Sequence, residues 1–169
     1  VDMAIGGSTN TTLHLPAIAR EIGISLTLET FAVMAAKIPH LMLLKPAGDH
    51  FPRDFYNAGG VPALMKSLQE AGKIHGDCLT VTTKTIGDNI LDRKITDNTV
   101  IHPLNNPLNV SGGISILYGN LAPVGAVVKS SAVVSEMMIH TGPARVFNRE
   151  EPALEAIFSG NIKPGDVVV

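Results

Sequence analysis

Cysteine is nearly absent, with Cys78 the sole thiol among 169 residues. One thiol excludes an internal disulfide, and by itself it cannot build a zinc or iron–sulfur site. A reducing cytoplasm is the compartment that fits. Positive charge is not in excess either: 13 Lys and Arg against 15 Asp and Glu leave a formal charge of -2. Without a basic field there is little to hold a phosphate backbone, so a nucleic-acid partner is not expected. Long apolar runs are missing as well. A stretch such as Leu41 to Leu44 falls far short of the roughly 20 residues that span a bilayer, and no membrane partner is expected. The first residues, Val1 to Ile5, lack both the basic start and the apolar core of a signal peptide. They also lack an initiator Met, and Val167 to Val169 stop inside what reads as a strand. The sequence therefore reads as an internal segment of a longer chain.

Hydrophobic residues make up 45% of the sequence, enough to bury a core that offsets the conformational entropy of ordering the chain. Up to about residue 95 the pattern is helical. A helix is predicted over Thr9 to Arg20, with Ser8 as its cap, Pro16 inside it and Gly23 as its stop. Thr27 caps a second helix, which must end near Ile38 because Pro39 disfavours helical geometry before it. Helices over Pro52 to Ala58 and Pro62 to Ala71 meet at Gly59-Gly60. Leu79 to Thr82 reads as a strand, and Thr85 caps a short helix to Leu91. Beyond Val100 the texture changes to short β-branched runs: Ile114 to Leu117, Ala126 to Lys129, Ala144 to Phe147 and Val167 to Val169. Gly112-Gly113 and Gly119-Asn120 read as hairpin turns between them. One helix interrupts, capped by Asn148 and closed by Gly160. There is no internal repeat. The class is α+β, a helix-rich half at 1–98 followed by a β-rich half at 99–169.

The chemistry-bearing stretch is Gly6-Gly7-Ser8-Thr9-Asn10, two flexible glycines and three polar side chains at the start of a helix. Unsatisfied N–H groups there favour an anion, so Gly7, Ser8, Thr9 and Asn10 are candidate substrate-binding residues for a carboxylate or phosphate. The alternative is a plain cap on a tight turn, with His14 on the next turn a structural residue. The six histidines show no pair at i, i+4 with an acidic neighbour, so spacing reveals no metal site and no catalytic residue is assigned. Cys78 follows His75 and Asp77 but precedes an apolar run, and a half-buried free thiol is expected. Lys84, Lys129 and Arg145 can each meet an anion, although isolated basic residues are usually solvated. No G-x-G-x-x-G opens a helix after a strand.

Several blocks, in order, carry a resemblance: Gly6 to Asn10 with Leu13-His14; Ala58-Gly59-Gly60-Val61; Leu79 to Thr82 with Lys84-Thr85; Gly112-Gly113 through Tyr118 to Pro123; Gly125 to Lys129; and Gly142 to Phe147. Together the chain resembles the dihydroxy-acid dehydratase and 6-phosphogluconate dehydratase family of hydro-lyases. Within the family it reads most like the dehydratase of branched-chain amino-acid biosynthesis, with 6-phosphogluconate and other aldonic-acid dehydratases as the alternative. The resemblance implies dehydration of a 2,3-dihydroxy carboxylic acid to a 2-keto acid, in a homo-oligomer, expected as a homodimer. It implies an iron–sulfur cluster and Mg in the full-length enzyme, with their ligands and the serine proposed as base outside this segment, so none is expected bound by this segment alone. Residues 1–98 would be the end of the helix-rich N-terminal domain. Residues 99–169 would begin a C-terminal domain like the swivelling β/β/α domain of aconitase-type enzymes. Alone, the segment is expected to be an inactive module that contributes packing and an interface.

Overall fold

A computed structural model describes all 169 residues. The chain is α+β, with helices and two small sheets in two units, Val1–Ala132 and Val133–Val169. No helix is long and apolar enough to cross a membrane.

In the first unit, α1 (Asp2–Ile5) runs into α2 (Thr11–Glu21) through the Gly6-Gly7 turn. The helix α3 (Leu28–Lys37) follows Thr27, which is extended at the cap position but, against expectation, makes no side-chain capping bond to the backbone; the helix ends where Pro39 holds Ile38 extended, as the sequence predicts. Phe31, Ala35 and Ile38 recur at one face and are buried. The helix α4 (Pro52–Asn57) starts on a proline whose missing N–H costs nothing there, and the Asp54 carboxylate accepts from the Phe51 N–H at 2.7 Å. In α5 (Gly60–Glu70) Leu64 and Leu68 fall on one face and are fully buried. Thr85 caps α6 (Ile86–Asn89) as predicted: its hydroxyl accepts from the Asp88 N–H at 3.1 Å, and the Asp88 carboxylate accepts from the Thr85 N–H at 3.0 Å. The antiparallel pair β1 (Ser115–Leu117) and β2 (Ala126–Val128) sets Ile116 opposite Val127. Its inner residues join Met3, Phe31, Leu41, Leu64 and Ile101 in one core.

The second unit holds β3 (Ala144–Arg145) parallel to β4 (Val167–Val168), with α7 (Glu150–Phe158) as the crossover that parallel pairing requires. Gly160, in the left-handed region at φ 70°, closes α7 as expected.

Several local expectations are corrected. The first turn of α2 begins at Thr11, with Asn10 at the cap position; Ser8 instead starts the turn before it, its Oγ accepting from the Asn10 N–H at 3.2 Å. Arg149, not Asn148, precedes α7, with no side-chain cap. Leu79 to Thr82 form no strand. One bridge, Leu79 to Thr85, closes them into a loop, because the Thr80 hydroxyl bonds to Thr82, Asn89 and the Lys84 carbonyl and competes with any ladder. Without a strand to bury it, neighbouring Cys78 is exposed rather than half-buried. The β-rich texture beyond residue 99 yields only strands of two or three residues.

Gly112-Gly113 is not a hairpin turn but a close-packing contact. The Gly112 N–H donates to the Ala35 carbonyl at 2.8 Å and the Gly113 N–H to the Met3 carbonyl at 3.0 Å. A Cβ on Gly113 would stand 2.5 Å from Gly6 Cα. Gly119-Asn120, by contrast, does turn the β1–β2 hairpin, with the Ala122 N–H donating to the Gly119 carbonyl at 3.1 Å.

Thr83 is the one non-glycine residue with positive φ, at 62°, where its branched Cβ crowds the backbone. Thr83→Gly is therefore expected to stabilise the complete protein by about 1 kcal/mol, read as a higher Tm. An unchanged or lower Tm would show that the loop carries no such strain.

Candidate functional site

The Gly6-Gly7 turn opens a pocket of about 350 Å³ lined by Ile5 to Thr9, Leu44, Lys45 and Lys129. Three segments distant in sequence build it. Gly113 packs against Gly6 from beneath, and Leu41 N–H donates to the Ala4 carbonyl at 2.8 Å, which brings the chain that leads to Lys45 alongside. The β2 strand delivers Lys129, half-buried, just past its end.

Of the sequence-predicted residues, Gly7, Ser8 and Thr9 line the pocket; Asn10 is exposed and is not among its walls. The physical basis for an anion site also moves. The first N–H groups of α2 are not free, since those of Thr11 and Thr12 donate to the Ser8 and Thr9 carbonyls at 3.1 Å each. The Asp2 carboxylate also accepts from the Thr11 hydroxyl at 2.9 Å, so one side of the helix start already faces a negative charge. The amides left without a protein acceptor are those of Ser8 and Thr9, in the pocket wall.

The two lysines complete the donor set. Neither is in a salt bridge, and no Asp or Glu lines the pocket. Lys45 lies 5.4 Å from the centre of the Phe51 ring, a cation–π arrangement that holds an exposed side chain by the mouth. Two ammonium groups, two backbone N–H groups and two hydroxyls around one small pocket are suited to a hydroxylated carboxylate. Lys129 was visible in the sequence only as an isolated cation. Lys45 carried no signal at all, because its place depends on a contact across some 40 residues. Lys84 lines none of the pocket, and His14 is exposed.

His40 lies beneath the turn, 4% exposed. Burial pushes its pKa below the ordinary histidine value; a backbone hydrogen bond with Met42 opposes this, and the Lys129 and His102 charges add to it. A lowered folded pKa means the unfolded chain binds the proton more readily. Stability from His40 is thus full above about pH 6.5 and is lost as pH falls from there toward the folded pKa. His40→Gln is expected to flatten the acid side of the Tm-against-pH curve; an identical curve in the variant would contradict this.

Residues 1–89 match the family model described as Dihydroxy-acid/6-phosphogluconate dehydratase N-terminal, and residues 99–169 match its C-terminal counterpart. The chain belongs to the dihydroxy-acid/6-phosphogluconate dehydratase family. Proteins named dihydroxy-acid dehydratase are similar to it along its whole length: 52% identical in Acetivibrio thermocellus, 54% in Ignicoccus hospitalis and 55% in Syntrophobacter fumaroxidans. The chain spans about 30% of the length of these curated relatives. In this dehydratase-family chain, the Gly6 to Thr9 block and the Gly125 to Lys129 block, widely separated in sequence, therefore meet at one pocket.

Proposed function

We propose that the chain is a segment of a hydro-lyase that removes water from a 2,3-dihydroxy carboxylic acid, the resulting enol becoming a 2-keto acid. The observation that carries this reading is the pocket at Gly7 to Thr9, with Lys45 and Lys129 on its walls, in a chain of the dehydratase family. The reaction removes a proton from the carbon beside the carboxylate and expels hydroxide from the next carbon. Negative charge develops toward the carboxylate as the proton leaves. Lys129 and the Ser8 and Thr9 amides would hold that carboxylate, in the ground state and the transition state alike, while the Ser8 and Thr9 hydroxyls orient the neighbouring hydroxyl group.

The family implies an iron–sulfur cluster and Mg, which supply Lewis-acid assistance when bound. The residues of this chain do not fit either group. The lone thiol, Cys78, is exposed, and no three His, Cys, Asp or Glu side chains are grouped to hold a metal ion. The ligands would come from the rest of a protein as long as the relatives, and the segment alone would be inactive.

Residues 1–98 would then belong to the helix-rich N-terminal domain and 99–169 to the start of an aconitase-like swivelling domain; the interval between the two family matches supports that division. We assign the whole protein to the cytoplasm as a homodimer. Its preferred substrate is the branched dihydroxy acid of branched-chain amino-acid biosynthesis, a choice supported by the names of the relatives. The test is formation of 2-keto acid by the complete protein from 2,3-dihydroxyisovalerate and from 6-phosphogluconate. Turnover of the first is expected to dominate. Preference for the second would shift the assignment to the sugar-acid branch, and turnover of no dihydroxy acid would refute it.

A further inference from the structure

Two buried polar atoms beneath the pocket have no hydrogen-bond partner: Nε2 of His40 and Oγ of Ser131. Both converge on Gly6. A Cβ built there would lie 2.6 Å from the His40 nitrogen and 2.9 Å from the Ser131 oxygen. A buried polar atom without a partner is costly; these two face the same point without being hydrogen-bonded to each other as placed, so that a turn of the serine side chain is what would join them. The chemistry of the pair fits: burial and the nearby Lys129 charge lower the imidazole's pKa and so favour its neutral, accepting form, while a turn about Cα–Cβ moves the serine oxygen and rotation about Cβ–Oγ presents its proton.

We propose that the Ser131 hydroxyl donates to Nε2 of His40 across Gly6, and that this pair positions Lys129 relative to Lys45 at the pocket. His40 leads the segment that ends at Lys45, and Ser131 sits two residues beyond Lys129 in a 3₁₀ turn, where the Ala132 N–H donates to the Lys129 carbonyl at 3.0 Å. The pair thus joins the two segments that carry the two ammonium groups. Backbone bonds brace it on each side: Ser131 N–H to the Gly113 carbonyl at 3.1 Å, and His40 N–H to the Asn109 carbonyl at 2.9 Å. Glycine is required at position 6, because any side chain there would separate the two groups. His40 and Ser131 are positioning residues in this scheme and touch no substrate. The proposal rests on the pocket's being the carboxylate site.

The test is a double-mutant cycle in the complete protein with Ser131→Ala, His40→Phe and both together, read by thermal melts and by steady-state kinetics on 2,3-dihydroxyisovalerate. Each single variant leaves the other group buried and alone, so each is expected to lower Tm by several degrees, and the double variant by less than the sum. Additive losses of Tm would overturn the pair. Ser131→Ala is also expected to raise KM roughly tenfold at nearly constant kcat, because the lysine it orients binds ground state and transition state alike. That rise should vanish in a Lys129→Met background, since the hydroxyl acts through Lys129. Coupled melts with an unaltered KM, or a KM effect that persists in that background, would refute the positioning role. If Lys129→Met alone leaves KM unchanged, the carboxylate reading fails instead, while the melts still report on the pair.

Discussion

Gly113→Ala in the complete protein is expected to lose about 3 kcal/mol of stability, at the upper end of what overpacking a filled core costs. The added Cβ would stand 2.5 Å from Gly6 Cα and 3.1 Å from both His40 Cδ2 and Ser131 Cβ. The nearest of these is backbone, which cannot swing aside as a flexible side chain does. Relief would require moving the Gly6 turn, the residue-40 segment or the 3₁₀ turn after β2; the first two are joined by the Leu41 N–H to the Ala4 carbonyl, and the third is joined to Gly113 itself by the Ser131 N–H. These are the segments that assemble the pocket, so the variant should also lose substrate affinity in whatever remains folded. Gly119→Ala is the matched control: its Cβ would meet nothing within 4 Å, and a change of no more than about 0.5 kcal/mol is expected. Equal melts for the two variants would show that Gly113 is not a packing constraint.

Lys129→Met carries the second large effect. A half-buried ammonium facing a carboxylate in a pocket without acidic side chains makes a charge-assisted bond that methionine cannot replace, although methionine keeps most of the side chain's bulk. Loss of about 1.5–3 kcal/mol in transition-state binding is expected, a fall of roughly 10- to 100-fold in kcat/KM. Stability should hardly change, because Lys129 has no salt bridge to lose. Lys45→Met is expected to cost less, since that lysine is exposed and solvent screens its charge. A stability loss at Lys129 with normal kinetics would reverse its role from ligand to scaffold.

Much of the helical framework was legible in the sequence because its signals are local. Pro39 after α3, Pro52 at the start of α4 and the Thr85–Asp88 box each act within a few residues, and the helices begin or end there. What failed depended on partners elsewhere in the chain. Leu79 to Thr82 has strand composition, but no neighbouring strand pairs with it, and its threonines bond to one another instead. The Gly112-Gly113 doublet reads as a turn, yet it is glycine because two other backbones, at Gly6 and Ala35, approach it. The site divides in the same way. Gly7, Ser8 and Thr9, singled out by their own chemistry, line the candidate pocket, although the N–H groups at the start of α2 that suggested an anion there are taken by the Ser8 and Thr9 carbonyls. Lys45 and the convergence of His40 with Ser131 were invisible, because both arise only where chain segments far apart in sequence meet.

Whether this pocket receives a substrate carboxylate is tested most directly by a crystal structure of the complete protein with a bound 2,3-dihydroxy acid. The carboxylate is expected within hydrogen-bond distance of the Lys129 ammonium and the Ser8 and Thr9 amides, with the neighbouring hydroxyl on the Ser8 or Thr9 side chain. A dihydroxy acid bound with its carboxylate on other residues, and only solvent between Lys129 and the Gly6-Gly7 turn, would contradict it.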